Sequence, residues 1–200
     1  MNIIKLDATT STNDYLKQLI ATQVVDNFTV VTTFNQTSGK GQMGSVWSSE
    51  ACKNLIMSVL VKDFLFDINQ IFTLNIAISL AVIETLESIN IPDLSIKWPN
   101  DIMSYNKKIG GILIENSVQG SRWKHAVVGI GLNVNQTQFS PNLTRATSIK
   151  NVLQTEYNLN SLLADLCVAL ERRYLQVRAQ KFADLHRDYL QHLFKFGEQS

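Results

Sequence analysis

Three glycine clusters and one polar pentad hold the residues best suited to chemistry. Seven of the nine glycines stand at Gly39/Gly41/Gly44, Gly110/Gly111 and Gly129/Gly131, and a residue without a Cβ lets a ligand lie close against the backbone. The pentad Lys97-Trp98-Pro99-Asn100-Asp101 puts a cation, an aromatic ring, a rigid turn and a carboxylate at the end of a strand-like segment. Each member has an ordinary structural use, Trp98 in a core and the others in turns. The five together are much rarer than their parts. Lys108 opens a run, Lys108-Ile109-Gly110-Gly111-Ile112-Leu113-Ile114-Glu115, in which two glycines interrupt an apolar strand. A lysine there can neutralise an anion lying on a sheet, or can simply be a solvated hairpin lysine. Gly129-Ile130-Gly131-Leu132-Asn133 repeats the idea, glycines in a strand followed by a polar side chain.

Gly39-Lys40-Gly41-Gln42-Met43-Gly44 matches the GxGxxG dinucleotide fingerprint in letters only. The fingerprint needs a helix next, whose N-terminus receives a pyrophosphate. Here Ser45-Val46-Trp47-Ser48-Ser49-Glu50 follows, without helical period. A mobile glycine-rich loop whose Lys40 covers a phosphate or carboxylate is the better functional reading, and an ordinary surface loop is the plain alternative.

These residues need elements to hold them. Ser11 or Thr12 can cap a helix running to about residue 20, and β-branched residues 28–34 read as a strand. Residues 35–50 read as a functional loop, and 54–61 as another strand. Apolar residues through 68–89 favour a largely buried helix. Segments 94–98, 101–104, 108–118 and 123–134, separated by turn formers, read as an antiparallel meander. Past Pro141 the pattern turns helical, with Ser161 capping a helix to Arg178, a shorter helix over 181–193, and then, at 194–198, the approach to another strand. Mixed strands with helices between and after them make the class α+β, a mixed, largely antiparallel sheet packed with helices.

Composition narrows the functions. Eighteen Lys+Arg against 17 Asp+Glu, with no long run of one sign, argue against a general nucleic-acid surface. Cys52 and Cys167 form no CxxC pair, and His125, His186 and His192 have no zinc-site spacing. The charge-free apolar stretch at residues 68–83 is short of a bilayer span, and the N-terminus lacks an apolar signal core. The expectation is a reduced, cytoplasmic protein with no membrane partner.

Ser11-Thr12-Asn13, the loop Gln36-Thr37-Ser38-Gly39-Lys40-Gly41 ending at Trp47, the pentad, the lysine strand 108–115 and Gly129-Ile130-Gly131-Leu132-Asn133-Val134-Asn135 occur in that order. In this the chain resembles the catalytic domain of biotin protein ligases over about residues 1–195, a fold that is class II aminoacyl-tRNA synthetase-like. Lipoate ligases share the fold, but their Arg-Arg-x-Ser-Gly-Gly-Gly signature is absent from this sequence. The resemblance implies joining of biotin to ATP, giving biotinyl-5'-AMP and pyrophosphate, then transfer of biotin to a lysine of a biotin carboxyl carrier protein of acetyl-CoA carboxylase or a related carboxylase. It implies that Lys108 and Lys40, with Mg²⁺, offset charge on the phosphate, and that Ser11, Thr12 and Gln36 bind the ureido head. It further implies that Gly39 and Gly41 belong to the ligand loop and that Gly111, Gly129 and Gly131 make room for the ring system. Trp47 would pack on adenine, and Asn100, Asp101 and Asn133 would line the nucleotide side. Asp101 would orient the incoming amine or hold Mg²⁺, two alternatives the sequence leaves open.

Two departures from the family pattern stand out. The loop is commonly Gly-Arg-Gly-Arg, whereas this chain has Gly39-Lys40-Gly41-Gln42, which predicts weaker retention of the adenylate. The family's small C-terminal β-barrel is expected to be absent or cut short after residue 196. No N-terminal helix-turn-helix is recognisable, so DNA binding is not expected, and a homodimer stays open. A lipoate or octanoate transferase and a non-catalytic biotin sensor remain the alternatives.

Overall fold

The computed structural model describes residues 1–63, 70–120 and 122–195. One seven-stranded sheet organises them. Its strands are β1 (Asn2–Thr9), β2 (Thr29–Gln36), β5 (Leu55–Lys62), β6 (Leu94–Lys97), β7 (Asp101–Ser104), β8 (Lys107–Gln119) and β9 (Arg122–Leu132), in the order β1-β2-β5-β9-β8-β7-β6. Only the β1–β2 pairing is parallel. A parallel pair needs a crossover, and α1 (Thr12–Thr22) supplies it. The small hairpin β3 (Gly39–Lys40) and β4 (Val46–Trp47) stands apart from the sheet.

The meander over β6 to β9 and the central strand β5 lie where the sequence puts them. Every residue from Leu55 to Val61 is buried, because β5 is covered on both faces. On one face lie α2 (Ile71–Ser88), α4 (Leu159–Arg178) and α5 (Phe182–His192), sharing a core with Met57, Val59, Val128 and Ile130. α2 is apolar all round, with mean hydropathy 1.5 over 18 residues, long and apolar enough to cross a membrane by length and composition. It is instead 67% buried inside the domain, as a central core helix is. On the other face only α1 packs, setting Leu16 against Val31, Leu60 and Val127. The rest of that face stays open. Cys52 is exposed, Cys167 is buried, and both are free thiols.

Four expectations need correction. β1 was not anticipated: it is an edge strand with a largely exposed pattern, so its alternation is weak. Residues 35–50 are not simply a loop, since β2 runs to Gln36 and the β3/β4 hairpin follows. Helix α4 is capped by Asn158, whose Oδ1 accepts from both Asn160 N and Ser161 N, which leaves Ser161 inside the first turn. A short helix α3 (Ile149–Leu153), capped by Ser148, precedes it. The expected start of α2 at 68 and the strand approach beyond 195 lie outside the described residues, although Leu193 does bridge to Ile96.

Candidate active site

The strand register lays out the site in two rows across the open face. One row pairs Ser58 on β5 with Gly129 on β9 and then Leu113 on β8. The next row, two residues along, pairs Ile56 with Gly131, Gly111 and finally Asp101 on β7. Three glycines in adjacent register thus hollow a trough into the sheet. A Cβ on Gly129 would stand 2.6 Å from Asn13 Oδ1, and one on Gly131 2.5 Å from the Trp47 ring. Trp47 therefore rests on the bare backbone. Its indole Nε1 is buried there without a hydrogen-bond partner.

The N-terminus of α1 closes the Gly129 end. Ser11, Thr12 and Asn13 are all buried. Ser11 Oγ caps the helix by accepting from Asp14 N, and the backbone N–H of Thr12 donates to Gln36 Oε1 at 2.9 Å. Ser58 Oγ lies 2.7 Å from Thr12 Oγ1 and also bonds Asn13 Oδ1. Asn13 Nδ2 donates to Glu115 at 2.8 Å. This polar knot is preassembled, with donors and acceptors fixed on a helix and three strands.

Lys108 closes the other end, and a β-bulge aims it. Between Ile102 and Met103 the β7–β8 register slips, so that Ile109 is the extra residue on β8. Ile109 packs in the helical core, and a Cβ on Gly110 would strike Leu132 there. With two successive residues turned to the core, Lys108 comes round to share the open face with Gly111. Its Nζ pairs with Asp101 at 2.6 Å and sits 5.5 Å from the Trp47 ring centroid. Asn100 pins the same corner, its Nδ2 donating to Ile112 O at 2.9 Å.

The cleft so formed brings together Ser11, Thr12, Gln36, Lys40, Gly41, Trp47, Asn100, Lys108, Gly111, Gly129 and Gly131. Gly39 lies instead at the root of the hairpin, where a Cβ would meet Trp47 O at 2.3 Å. Asp101 reaches the cleft through Lys108 rather than by lining it. Asn133 does not line this cleft. It is buried and donates to Thr147 O, and Thr147 N in turn bonds Lys108 O, so it braces the lysine from behind. Asn13, Ser58, Ile56 and Glu115 were not singled out from the sequence. Ser58 carries the one usable signal, a lone hydroxyl within an otherwise apolar buried strand.

The hairpin covers the cleft. Lys40 reaches back to Asp14 with 2.9 Å and 2.7 Å contacts to the two carboxylate oxygens. Asp14 also takes Lys17 at 2.9 Å, and Lys17 bonds Glu115. Burial alone would raise the Asp14 carboxyl, but bonds and charge from Lys40 and Lys17 outweigh it and hold Asp14 below the usual aspartate range. Lys17 is raised by the same logic: desolvation opposes its charge, and Glu115 with Asp14 overcomes it.

The sequence pattern of the Biotin/lipoate A/B protein ligase family matches residues 6–133, which include every residue of the cleft. This chain belongs to that family. As a family member it is 30% identical over 169 residues to the bifunctional ligase/repressor BirA of Bacillus subtilis, covering 83% of this chain and 48% of that protein. It is 30% identical over 176 residues to the biotin--[acetyl-CoA-carboxylase] ligase of Mycobacterium tuberculosis, covering 85% of this chain and 63% of that protein. The chain thus spans about half to two thirds of these curated relatives. The solved biotin protein ligase from Aquifex aeolicus in complex with biotin and ATP superposes with a TM-score of 0.86 at 27% identity, over 98% of this chain and 80% of that one. The family fold, a mixed, mostly antiparallel sheet packed with helices, is the fold described above.

Proposed function

We propose that this family member is a biotin protein ligase: it activates biotin with ATP to biotinyl-5'-AMP and passes the biotinyl group to a lysine of a biotin carboxyl carrier domain. One observation carries the reading. A single cleft runs from a preformed polar knot at the start of α1, over a glycine trough under an indole, to a lysine aimed by a bulge. That sequence of surfaces suits a ligand with a hydrogen-bonding head, an apolar middle and an anionic end. The biotin ligases among its relatives support it.

In the first step a biotin carboxylate oxygen attacks the α-phosphorus of ATP, and pyrophosphate leaves. Two anions must approach, and Lys108 supplies positive charge where charge concentrates. Trp47 and the trough exclude water around that corner, which strengthens the charge interaction. In the second step the carrier amine attacks the acyl carbon and AMP leaves, and the pairing of Asp101 with Lys108 supports a role for that carboxylate in orienting the amine. No group of three or more His, Cys, Asp or Glu side chains able to hold a metal exists among the described residues. Mg²⁺ therefore fits as a companion of the nucleotide phosphates, with Asp101 the one carboxylate at hand. A cytoplasmic, DNA-independent protein remains part of the same proposal.

Acid-dependent ATP–pyrophosphate exchange tests it. Biotin should support exchange, whereas lipoate and octanoate should not. Lys108→Ala should lower the exchange by at least about 10²-fold, the scale for a lost charge stabiliser. Near-normal exchange in Lys108→Ala would remove that lysine from the chemistry, and exchange with lipoate alone would overturn the substrate.

A further inference from the structure

Among the described residues, the Lys40–Asp14 pair is the one ion pair or hydrogen bond tying the hairpin 39–47 to the body of the domain. The hairpin's other polar contacts are internal, Gly41 N to Ser45 O at 2.7 Å and Ser45 Oγ to Gln42 O at 2.7 Å. Its tip projects into solvent, with Met43 and Val46 exposed. Lys40 lines the cleft, yet its ammonium is neutralised by a carboxylate outside the cleft lining. Asp14 does not depend on Lys40 for a partner, because Lys17 stays beside it, anchored by Glu115.

We propose that Asp14 is a latch residue that holds the hairpin shut on Lys40 in the free protein and yields the lysine to the anionic group of an entering ligand. This inference rests on the biotin-ligase reading above for the identity of that ligand. Asp14 is a positioning residue, since it acts through Lys40. The exchange is one of partners: Lys40 leaves a carboxylate shared with Lys17 and gains a phosphate or carboxylate in the less watery cleft. Asp14, still facing Lys17, is not left as an unpaired charge. The latch thus sets two quantities in opposite directions. It stabilises the closed hairpin without ligand, and it competes with the ligand for the same cation.

A purely structural role gives a different pattern. Asp14 lies in the first turn of α1, where a carboxylate favours the helix N-terminus. Loss of that contribution would loosen the free hairpin and weaken ligand binding together. The latch predicts opposite signs.

The test uses the full chain, a broad-specificity protease and a non-hydrolysable biotinyl-5'-AMP analogue. In Asp14→Asn, cutting within 37–50 of the ligand-free protein should rise about two- to fivefold, the range that a partly exposed ion pair supports. The analogue should dissociate more slowly by a similar factor. Lys40→Gln should also be cut faster, but should release the analogue faster than the unaltered chain. Faster analogue release from Asp14→Asn would overturn the latch in favour of the helix-cap role. Unchanged cutting of both variants, with the analogue still bound, would show that the pair does not hold the hairpin. Failure of the unaltered chain to bind the analogue would overturn the ligand-exchange step along with the biotin reading, whatever the cutting shows.

Discussion

Lys108 would face the core if β8 kept strict alternation with Gly110, and one extra residue at Ile109 reverses that. Glycines that face opposite sides of the sheet do different work, and alanine substitutions separate them. Gly131 faces the cleft, so its new methyl would meet three Trp47 ring atoms at 2.5, 2.6 and 2.8 Å. Gly131→Ala should weaken biotin binding by about 1–3 kcal/mol, the scale of an overpacked contact, with little change in folding midpoint. Gly110 faces the core, where the methyl would stand 2.5 Å from Leu132 Cδ2 and 3.1 Å from Gly131 O. Gly110→Ala should do the reverse, lowering thermal stability while the remaining folded protein still binds. Calorimetry with biotin and a denaturation curve on each variant check the pair. Gln42 also lines the cleft. An amide bonds a phosphate at roughly half the strength of a charged partner, so the chain should release some adenylate and label bystander proteins. Gln42→Arg should cut that stray labelling, read as biotin on excess non-carrier protein, and leave carrier labelling intact.

Among the elements, α2 is where stability concentrates. Leu80 is 1% exposed and belongs to the main core cluster. Leu80→Ala should cost about 2–5 kcal/mol, read from the denaturant midpoint at constant slope. What the sequence made legible at this scale follows physical contrast. The meander showed because turn formers separate its strands, and α2 because so long an apolar run favours a buried helix over a strand. Glycines inside apolar strands marked the trough because they carry a stability cost with no local use. Other features have no such contrast. β1 is an edge with few buried side chains, and β3 and β4 are two residues each. Asn133, which the family resemblance puts on the nucleotide side, has its amide bonded to Thr147. The polar knot joins Asn13, Ser58 and Glu115, which lie far apart in the chain and meet only through the register of β5, β9 and β8.

For the molecule as a whole, the Asp14 network ties stability to pH. Its carboxyl is held low in the folded chain, so folded Asp14 binds a proton less readily than unfolded Asp14. The stabilisation is complete above the unfolded value of about 3.9 and is lost as pH falls through the lower folded value. The stability gap between the unaltered chain and Asp14→Asn should therefore be flat from neutral pH to about 5 and shrink below about 4. Urea midpoints at those pH values check this, and a gap that widens on acidification would contradict the pairing.

The sheet order carries one more consequence, for how the chain comes together during synthesis. β1, β2 and β5 form one half of the sheet, β6, β7 and β8 the other, and β9 is the strand inserted between them. Until β9 leaves the ribosome the two halves have no shared ladder, and the nascent chain carries two unpaired edges of the kind that aggregate. β9 also brings Gly129 and Gly131, the floor on which a ligand rests. The step that zips the halves together is thus the step that creates the binding site. Shorter chains lack that floor, so a ligand that needs it rewards only molecules that have completed the sheet.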